Sequence, residues 1–149
     1  MKIIMVAQDF KVYKPNKQLG QVTLPKDSAT VIRPGTFVGL DGSKEAIEAD
    51  ATTAAIAYTE DGAAAGETTV SVYEKNDVFF QGTADRAYAA TDLNNEVDIV
   101  INTGVQEIDL DASSTDVLKV MPAQPDRESN QVGSEERVIV KINKFLFDD

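Results

Sequence analysis

The sequence predicts an all-β protein, a small antiparallel β-barrel or sandwich with an extended N-terminal arm. The first observation is that β-branched residues alternate with polar ones over short runs from residue 36 onward. The second is that Gly, Asp, Asn and Pro clusters, which favour turns, separate these runs. The third is size, because 149 residues of ordinary composition, 42% hydrophobic and 26% charged, suit one domain with one core.

Eight runs have the strand pattern, a number typical of sandwiches and small barrels. In EVDIVIN, for example, Val97, Ile99 and Ile101 fall on one face of the strand, and Asp98 falls on the other. The predicted strands are TFVGL (36–40), AAIAYT (54–59), TTVSVYE (68–74), DVFFQ (77–81), EVDIVIN (96–102), VQEIDL (105–110), VLKVM (117–121) and RVIVKIN (137–143).

Two Ala-rich stretches compete with the all-β prediction because they carry good helix formers. They are GSKEAIEADATTAAIA (42–57) and TADRAYAAT (83–91). The first could form a short helix. Its threonine pair, Asp50 and the following IAYTED favour strand, turn and strand instead.

The chain divides by composition into an arm at residues 1–27 and a body at residues 28–149. In the arm, the strand-like pieces KIIMV and FKVY surround KPNKQLGQ, whose Pro and Gly interrupt any continuous element. Five lysines and two aspartates give the arm a charge of +3. The body has a charge of −14, and the two together give the net charge of −11. Residues 122–136, PAQPDRESNQVGSEE, predict a long polar loop that is either a contact or a mobile segment.

Composition argues against several function classes. A net charge of −11 repels a phosphate backbone, so we expect no nucleic-acid partner. The chain has no His and no Cys, which removes the commonest general base and the best nucleophile; we therefore expect no enzymatic activity and no cofactor. The start MKIIMVAQDF is too short an apolar run for a membrane span, so no membrane partner is expected.

An acidic cluster, DLDASSTD, lies between two predicted strands. Asp109, Asp111 and Asp116 superficially resemble the start of a calcium loop. Such a loop needs Gly at its sixth position and Glu at its twelfth, where this chain has Ser114 and Val120. Asp and Ser also close turns through bonds to their own backbone, so a turn is the leading interpretation and no metal is expected. A weak cation site and a catalytic role remain alternatives.

Carboxylate pairs are a further catalytic alternative of low specificity. Asp92 with Glu96, or Glu107 with Asp109, could be a glycosidase pair, but an acidic chain contains many such pairs. The sequence does not fix the distance between the two carboxylates that the reaction requires.

Several strand and turn motifs follow one another in an order that resembles a known family. They are PGTFVGLD (34–41), AIAYTED (55–61), TVSVYEKNDVF (69–79), YAATDL (88–93), IDLDASSTDVLKVM (108–121) and, after a polar loop, RVIVKIN (137–143). This succession, over roughly residues 34–144, resembles the decoration (cement) proteins of tailed bacteriophage capsids.

The resemblance implies a small β-barrel or sandwich on the outer surface of the virion head, made in the host cytoplasm and commonly a homotrimer. It implies a structural role, in which the protein cements neighbouring subunits of the major capsid protein. Similar proteins reach over adjacent subunits with a terminal arm. The arm here offers lysines for an acidic capsid surface and apolar residues for strand addition or anchoring. The predicted capsid-contact residues are Lys2, Ile3, Ile4, Phe10, Lys11, Val12, Tyr13, Lys14 and Lys17.

A carbohydrate- or host-surface-binding β-sandwich module of a phage fibre or bacterial adhesin is the alternative function. Such modules bind sugars on exposed aromatic platforms. The chain has no Trp and only four Tyr, which counts against this alternative.

Overall fold

A computed structural model describes residues 8–14, 19–122 and 138–147. Within these residues the chain forms eleven β-strands and one turn of 3₁₀ helix at Ala90–Asp92. The strands are β1 (Phe10–Lys14), β2 (Gln21–Pro25), β3 (Thr36–Leu40), β4 (Ala46–Glu48), β5 (Ala57–Thr59), β6 (Thr69–Tyr73), β7 (Phe79–Gly82), β8 (Glu96–Asn102), β9 (Val105–Asp109), β10 (Leu118–Val120) and β11 (Val138–Ile142).

The all-β prediction is confirmed. Each of the eight predicted runs overlaps one strand, from β3 to β11. The first Ala-rich stretch contains β4 and leads through a turn into β5, and the second contains a single β-bridge residue, Ala84, and the start of the 3₁₀ turn. Strand pairing therefore overrides the helix propensity of these residues, because β4 and β5 are the two neighbours of β3.

The largest sheet has six strands in the order β1-β7-β11-β10-β8-β9, all paired antiparallel. Beyond β7 the chain continues alongside β9, where Ala84 and Ile108 form a parallel bridge. The Ile108 N–H donates to the Thr83 carbonyl at 2.9 Å, and the Asp85 N–H donates to the Ile108 carbonyl at 2.9 Å. The last strand of the sheet, β9, therefore pairs with the segment that follows β7. This contact closes the sheet in the manner of a barrel.

Two smaller sheets pack on the large one. β2 pairs with β6, and β3 lies between β4 and β5. A parallel bridge from Ile56 to Phe145 joins the second of these sheets to the segment after β11. β11 lies between β7 and β10, and its consecutive residues Val138, Ile139 and Val140 are all buried, so both faces of this strand are covered.

An aromatic cluster fills the core between the sheets. The Phe37 ring lies 4.5 Å from Phe10, 5.6 Å from Tyr58 and 5.0 Å from Phe80, measured between ring centroids. All four side chains are at most 1% exposed. Edge-to-face and tilted contacts of this kind add to the stabilisation from burial. The cluster ties β1, β3, β5 and β7 together, so the first strand of the chain is part of the core.

The segment predicted as an N-terminal arm contains two strands of the body. β1 pairs with β7, and β2 pairs with β6. FKVY supplies Phe10 to the core and Leu24 of β2 is buried as well, which explains why both pieces join the sheets. Residues 1–7 and 15–18 lie outside the described residues, so an arm beyond Gln8 stays a prediction. The loop predicted at 122–136 also lies outside them, apart from Pro122.

Candidate contact surface

Strand β1 carries those predicted contact residues that the structure describes. It is the edge strand of the six-stranded sheet. Lys11 and Lys14 are exposed, whereas Val12 and Tyr13 are half-buried. The pairing with β7 shifts register between Val12 and Lys14, which places a bulge at Tyr13. Four predicted contact residues lie outside the described residues: Lys2, Ile3, Ile4 and Lys17.

Phe10 anchors β1 to the body. Its N–H donates to the Gly35 carbonyl at 2.8 Å, and its carbonyl accepts the Tyr58 hydroxyl at 2.7 Å. Gly82 lies opposite Phe10, and a side chain there would overlap the phenylalanine ring. The ring is fully buried. The structure therefore gives the Phe10 side chain a role in the core, and its predicted capsid contact stays a prediction.

A half-buried ionic cluster, which we call the Asp9 cluster, fixes the start of β1. It consists of Asp9, Arg33 and Glu48. The Asp9 carboxylate accepts the Gln106 N–H at 2.8 Å and lies 2.9 Å from the Arg33 guanidinium. Arg33 also donates to Glu48 through its guanidinium, at 2.8 Å, and through its backbone N–H, at 2.8 Å. Two carboxylates thus share one guanidinium, and the cluster carries a net charge of −1.

Burial sets the electrostatics of this cluster. It raises the pKa of Asp9 above its ordinary value, although the Gln106 N–H and the Arg33 charge act in the opposite direction. The hydrogen bond with Glu48 raises the pKa of Arg33. Arg33 therefore stays charged, and its charge compensates only part of the cost of burying ionised Asp9.

Asp98 organises the acidic segment that follows β9. It lies on β8, is 2% exposed, and accepts three backbone N–H groups. These belong to Ser114, Thr115 and Asp116, at 3.0, 2.9 and 2.8 Å. Burial alone would raise the pKa of Asp98, but the three donors outweigh it and hold the pKa below its ordinary value. The carboxylate therefore stays ionised and closes the turn.

The aspartates within DLDASSTD make turn contacts of their own. The Asp111 N–H donates to the Asp109 carboxylate at 3.2 Å, and the Ser113 hydroxyl donates to Asp116. Asp116 has a positive φ of 54°, a conformation that Asp tolerates in turns. This is the geometry that the turn interpretation predicts. In the described part of the chain, no group of three or more Asp or Glu side chains is arranged to hold a metal ion.

Asp92, one of the carboxylates considered for a glycosidase pair, is bound by an arginine. Arg86 donates to both oxygens of Asp92, at 2.9 and 2.8 Å, and the Ala89 N–H donates to it as well. The bond from Arg86 lowers the pKa of Asp92. A glycosidase acid needs a raised pKa, so this environment suits a structural ion pair. Arg86 also pairs with Asp111 at 2.9 Å, which joins the segments on either side of β8 and β9.

A shallow polar groove of about 500 Å³ lies where the start of β8 and the end of β9 diverge. Amide, carboxylate and hydroxyl side chains line it. None of its lining residues is aromatic. They are Asn94, Asn95, Glu96, Val97, Leu110, Asp111, Ala112 and Ser113.

Sequence reasoning missed the burial of Asp98 and Gln106, two of the six buried polar residues in the described part of the chain. Gln106 is fully buried on β9 and bridges to β3 and to the residue that follows β4. Its amide accepts the Phe37 N–H at 2.8 Å and donates to the carbonyls of Phe37 and Ala49, at 2.8 and 2.9 Å. The signal for Asp98 was a carboxylate in the middle of an apolar run. Alternation alone placed it on a solvent face.

Comparison with protein-family models and with curated proteins finds no match to this chain. Over the described residues, no helix has the length and apolar character needed to cross a membrane.

Proposed function

We propose that the protein is a virion structural protein that binds the outside of an assembled icosahedral capsid and cements neighbouring subunits of the major capsid protein. The observation that carries the proposal is the position of β1, an edge strand with exposed Lys11 and Lys14. The resemblance of residues 34–144 to phage decoration proteins supports it. The protein acts as a homotrimer on the outer surface of the virion.

An edge strand presents main-chain donors and acceptors that another strand can pair with. Exposed lysines on such an edge repel a second copy of the same strand and discourage indiscriminate pairing. A partner strand with carboxylates opposite Lys11 and Lys14 removes that penalty. Strand addition to β1 therefore selects an acidic segment of the capsid protein.

Trimerisation supplies strength without a large single interface. Three weak sites on one trimer bind a symmetric shell at high effective concentration, and the avidity exceeds the affinity of any one site. The acidic body, whose charge is −14 against +3 for residues 1–27, keeps densely packed copies soluble and repels DNA. Light scattering of the purified protein tests the trimer directly.

The binding test uses heads of the phage that encodes the chain, purified without this protein. Wild-type protein is expected to co-sediment with them. The double variant Lys11→Glu and Lys14→Glu reverses the charge of the β1 edge and is expected to bind at least about tenfold more weakly, because two attractive pairs become repulsive.

The control is Lys75→Glu with Lys144→Glu, which makes the same change in charge at two other exposed lysines. Equal loss in both variants would show that total charge decides binding, and that the β1 edge is not the contact. No binding of the wild-type protein to any head preparation would refute the proposed function.

Carbohydrate binding is the second candidate, and the polar groove between β8 and β9 favours it. Asn94, Asn95 and Asp111 offer the amide and carboxylate groups that bind sugar hydroxyls. A glycan array decides the matter. Binding to defined glycans that is lost in Asn94→Ala, together with no binding to heads, would support this candidate over the capsid role.

A further inference from the structure

Two Asp–Gly dipeptides occur in the chain, at residues 41–42 and 61–62. Asp–Gly is prone to isomerisation, because glycine has no side chain to shield its nitrogen from the preceding aspartate. The reaction needs a glycine nitrogen that is free, a carboxyl carbon held beside it and a carboxyl oxygen that can leave. The two dipeptides are identical in sequence, but their surroundings in the fold differ.

Asp41 begins the turn between β3 and β4. Its Oδ1 atom accepts the N–H of Ser43 at 2.8 Å and the N–H of Glu45 at 3.0 Å. The main chain closes the same turn, since the Asp41 N–H donates to the Glu45 carbonyl at 2.8 Å and the Lys44 N–H donates to the Asp41 carbonyl at 3.0 Å. The ring closed by the hydrogen bond from Ser43 contains the Gly42 nitrogen. The turn therefore holds the Asp41 carboxyl group beside the peptide bond that follows it.

Gly42 is open to reaction. It is exposed, and a Cβ atom added to it would meet no atom within 4 Å. Among the residues that the structure describes, none accepts the Gly42 N–H. The second oxygen of Asp41, Oδ2, has no hydrogen-bond or ion-pair partner among them either. Neither the attacking nitrogen nor the departing oxygen is therefore held by a hydrogen bond.

Gly62, in contrast, is tightly held. Its N–H donates to the Thr59 hydroxyl at 2.9 Å, and its φ is 66°. A Cβ atom at Gly62 would lie 2.3 Å from the Ile32 carbonyl oxygen, so the main chain of that segment covers it. The next residue, Ala63, exchanges two main-chain hydrogen bonds with Ile32, at 2.8 and 2.9 Å. This packed segment has to open before the Gly62 nitrogen can react.

The two N–H groups on Oδ1 of Asp41 favour the reaction itself. When the glycine nitrogen adds to the carboxyl carbon, negative charge develops on the oxygen that stays. Donors already aimed at that oxygen, at about 2.7–3.1 Å, stabilise such charge without reorganisation. At Asp41 the distances are 2.8 and 3.0 Å. The turn thus has the geometry of an oxyanion hole made of main-chain N–H groups.

We propose that Asp41–Gly42 is a modification site, at which the folded chain converts aspartate to isoaspartate without an enzyme. The Gly42 nitrogen forms a bond to Cγ of protonated Asp41. The Oδ2 hydroxyl departs and leaves as water with the proton from the Gly42 nitrogen. Water then opens the resulting succinimide ring. Attack at the main-chain carbonyl gives isoaspartate, and attack at Cγ restores aspartate, so one water leaves, one enters and the mass of the chain is unchanged.

The product changes the turn. Isoaspartate adds one carbon to the main chain and converts the former main-chain carbonyl of residue 41 into the free carboxylate. The acceptor of the Ser43 and Glu45 N–H groups is displaced as a result. β4 is the edge strand that this turn leads into, so its pairing with β3 is weakened in the modified chain. The inference is independent of the proposed function.

Peptide mapping tests the proposal on the full chain. The protein is incubated for weeks at body temperature and mildly acidic pH, and electron-transfer fragmentation then distinguishes isoaspartate from aspartate. Trypsin cuts after Lys44, which places the two dipeptides on different peptides. In the folded chain, isoaspartate is expected to form at Asp41 at least about tenfold faster than at Asp61, because only Asp41 has the two N–H donors.

The unfolded chain is the first control. In guanidinium chloride both turns are lost, and the rates at the two dipeptides are expected to agree within about threefold. Unfolding is expected to raise the rate at Asp61, because Gly62 is released. The rate at Asp41 is expected to stay the same or fall.

Gly42→Ala is the matched variant. The space at Gly42 is open and its φ lies outside the left-handed region, so alanine fits without strain. The added methyl group shields the nitrogen, and the rate at Asp41 is expected to fall at least about tenfold while the rate at Asp61 is unchanged.

Three outcomes would overturn the proposal. The first is an equal or faster rate at Asp61 in the folded chain. The second is a rate at Asp41 that rises several-fold on unfolding, because the turn would then protect the aspartate. The third is a tenfold difference that persists in guanidinium chloride, which would assign it to the neighbouring residues in the sequence and not to the turn.

Discussion

Asp98 gives the sharpest test of how the acidic segment is built. Asp98→Ala leaves the N–H groups of Ser114, Thr115 and Asp116 without their acceptor. Hydrogen bonds to a charged group contribute about 1.5–3 kcal/mol each, and water replaces part of that where the turn is exposed. We expect a loss of about 3–5 kcal/mol in the free energy of unfolding.

Asp98→Asn is the milder variant and isolates the charge. The oxygen that accepts from Thr115 and Asp116 can remain, but an NH₂ group then faces the N–H of Ser114. Donor facing donor, with the charge removed, is expected to cost about 1–3 kcal/mol. The control is Asp111→Asn, at an exposed carboxylate of the same cluster that pairs with Arg86, and its expected cost is below about 0.5 kcal/mol.

Urea unfolding followed by far-UV circular dichroism measures these differences, since the chain has no Trp. The pKa of Asp98 is lowered in the folded state. Its stabilisation is therefore complete above the unfolded pKa of about 3.9 and is lost as pH falls through the folded pKa. The gap between wild type and Asp98→Asn should be constant from pH 5 to 7 and shrink below about pH 4. Equal unfolding midpoints for Asp98→Ala and Asp111→Asn would show that the Asp98 carboxylate does not hold the turn.

Four further predictions address other parts of the fold. Gln106→Ala removes three buried hydrogen bonds and is expected to lower the free energy of unfolding, measured with urea, by about 3–5 kcal/mol. An unchanged unfolding midpoint would show that these hydrogen bonds do not stabilise the fold. Thr103→Asn relieves a β-branched residue at positive φ and should raise the Tm by about 2 °C, whereas a lower Tm would argue against strain. Because burial raises the pKa of Asp9, ionisation destabilises the fold as pH rises through the folded pKa, so Asp9→Asn should be more stable than wild type at pH 7 and lose that advantage in acid. Excess calcium, compared with chelator, should move the Tm by less than about 2 °C; a large rise would revive the cation site at DLDASSTD.

The strands were predictable because their signal is local. Runs such as TTVSVYE and EVDIVIN alternate over enough residues to mark a strand without knowledge of its partner. β2 gave no such signal, since Leu24 is its one buried residue. The closure of the sheet was not predictable, because it depends on a bridge between Ala84 and Ile108, residues far apart in the sequence.

The buried polar residues required the three-dimensional structure. Gln106 bonds to Phe37, 69 residues away, and its N–H bonds to Asp9, 97 residues away. Alternation describes which face a side chain occupies, but it contains no information on which strand packs against that face. The same limit explains Phe10, whose piece FKVY was recognised as strand-like while its place in the core was not.

The proposed function makes the protein part of the virion shell, and quantitative mass spectrometry of purified virions measures whether it is there. We expect this chain in a fixed proportion to the major capsid protein, and we expect protease treatment of intact particles to remove it while the capsid protein is spared. Virions that contain no trace of the chain would rule out the proposed function.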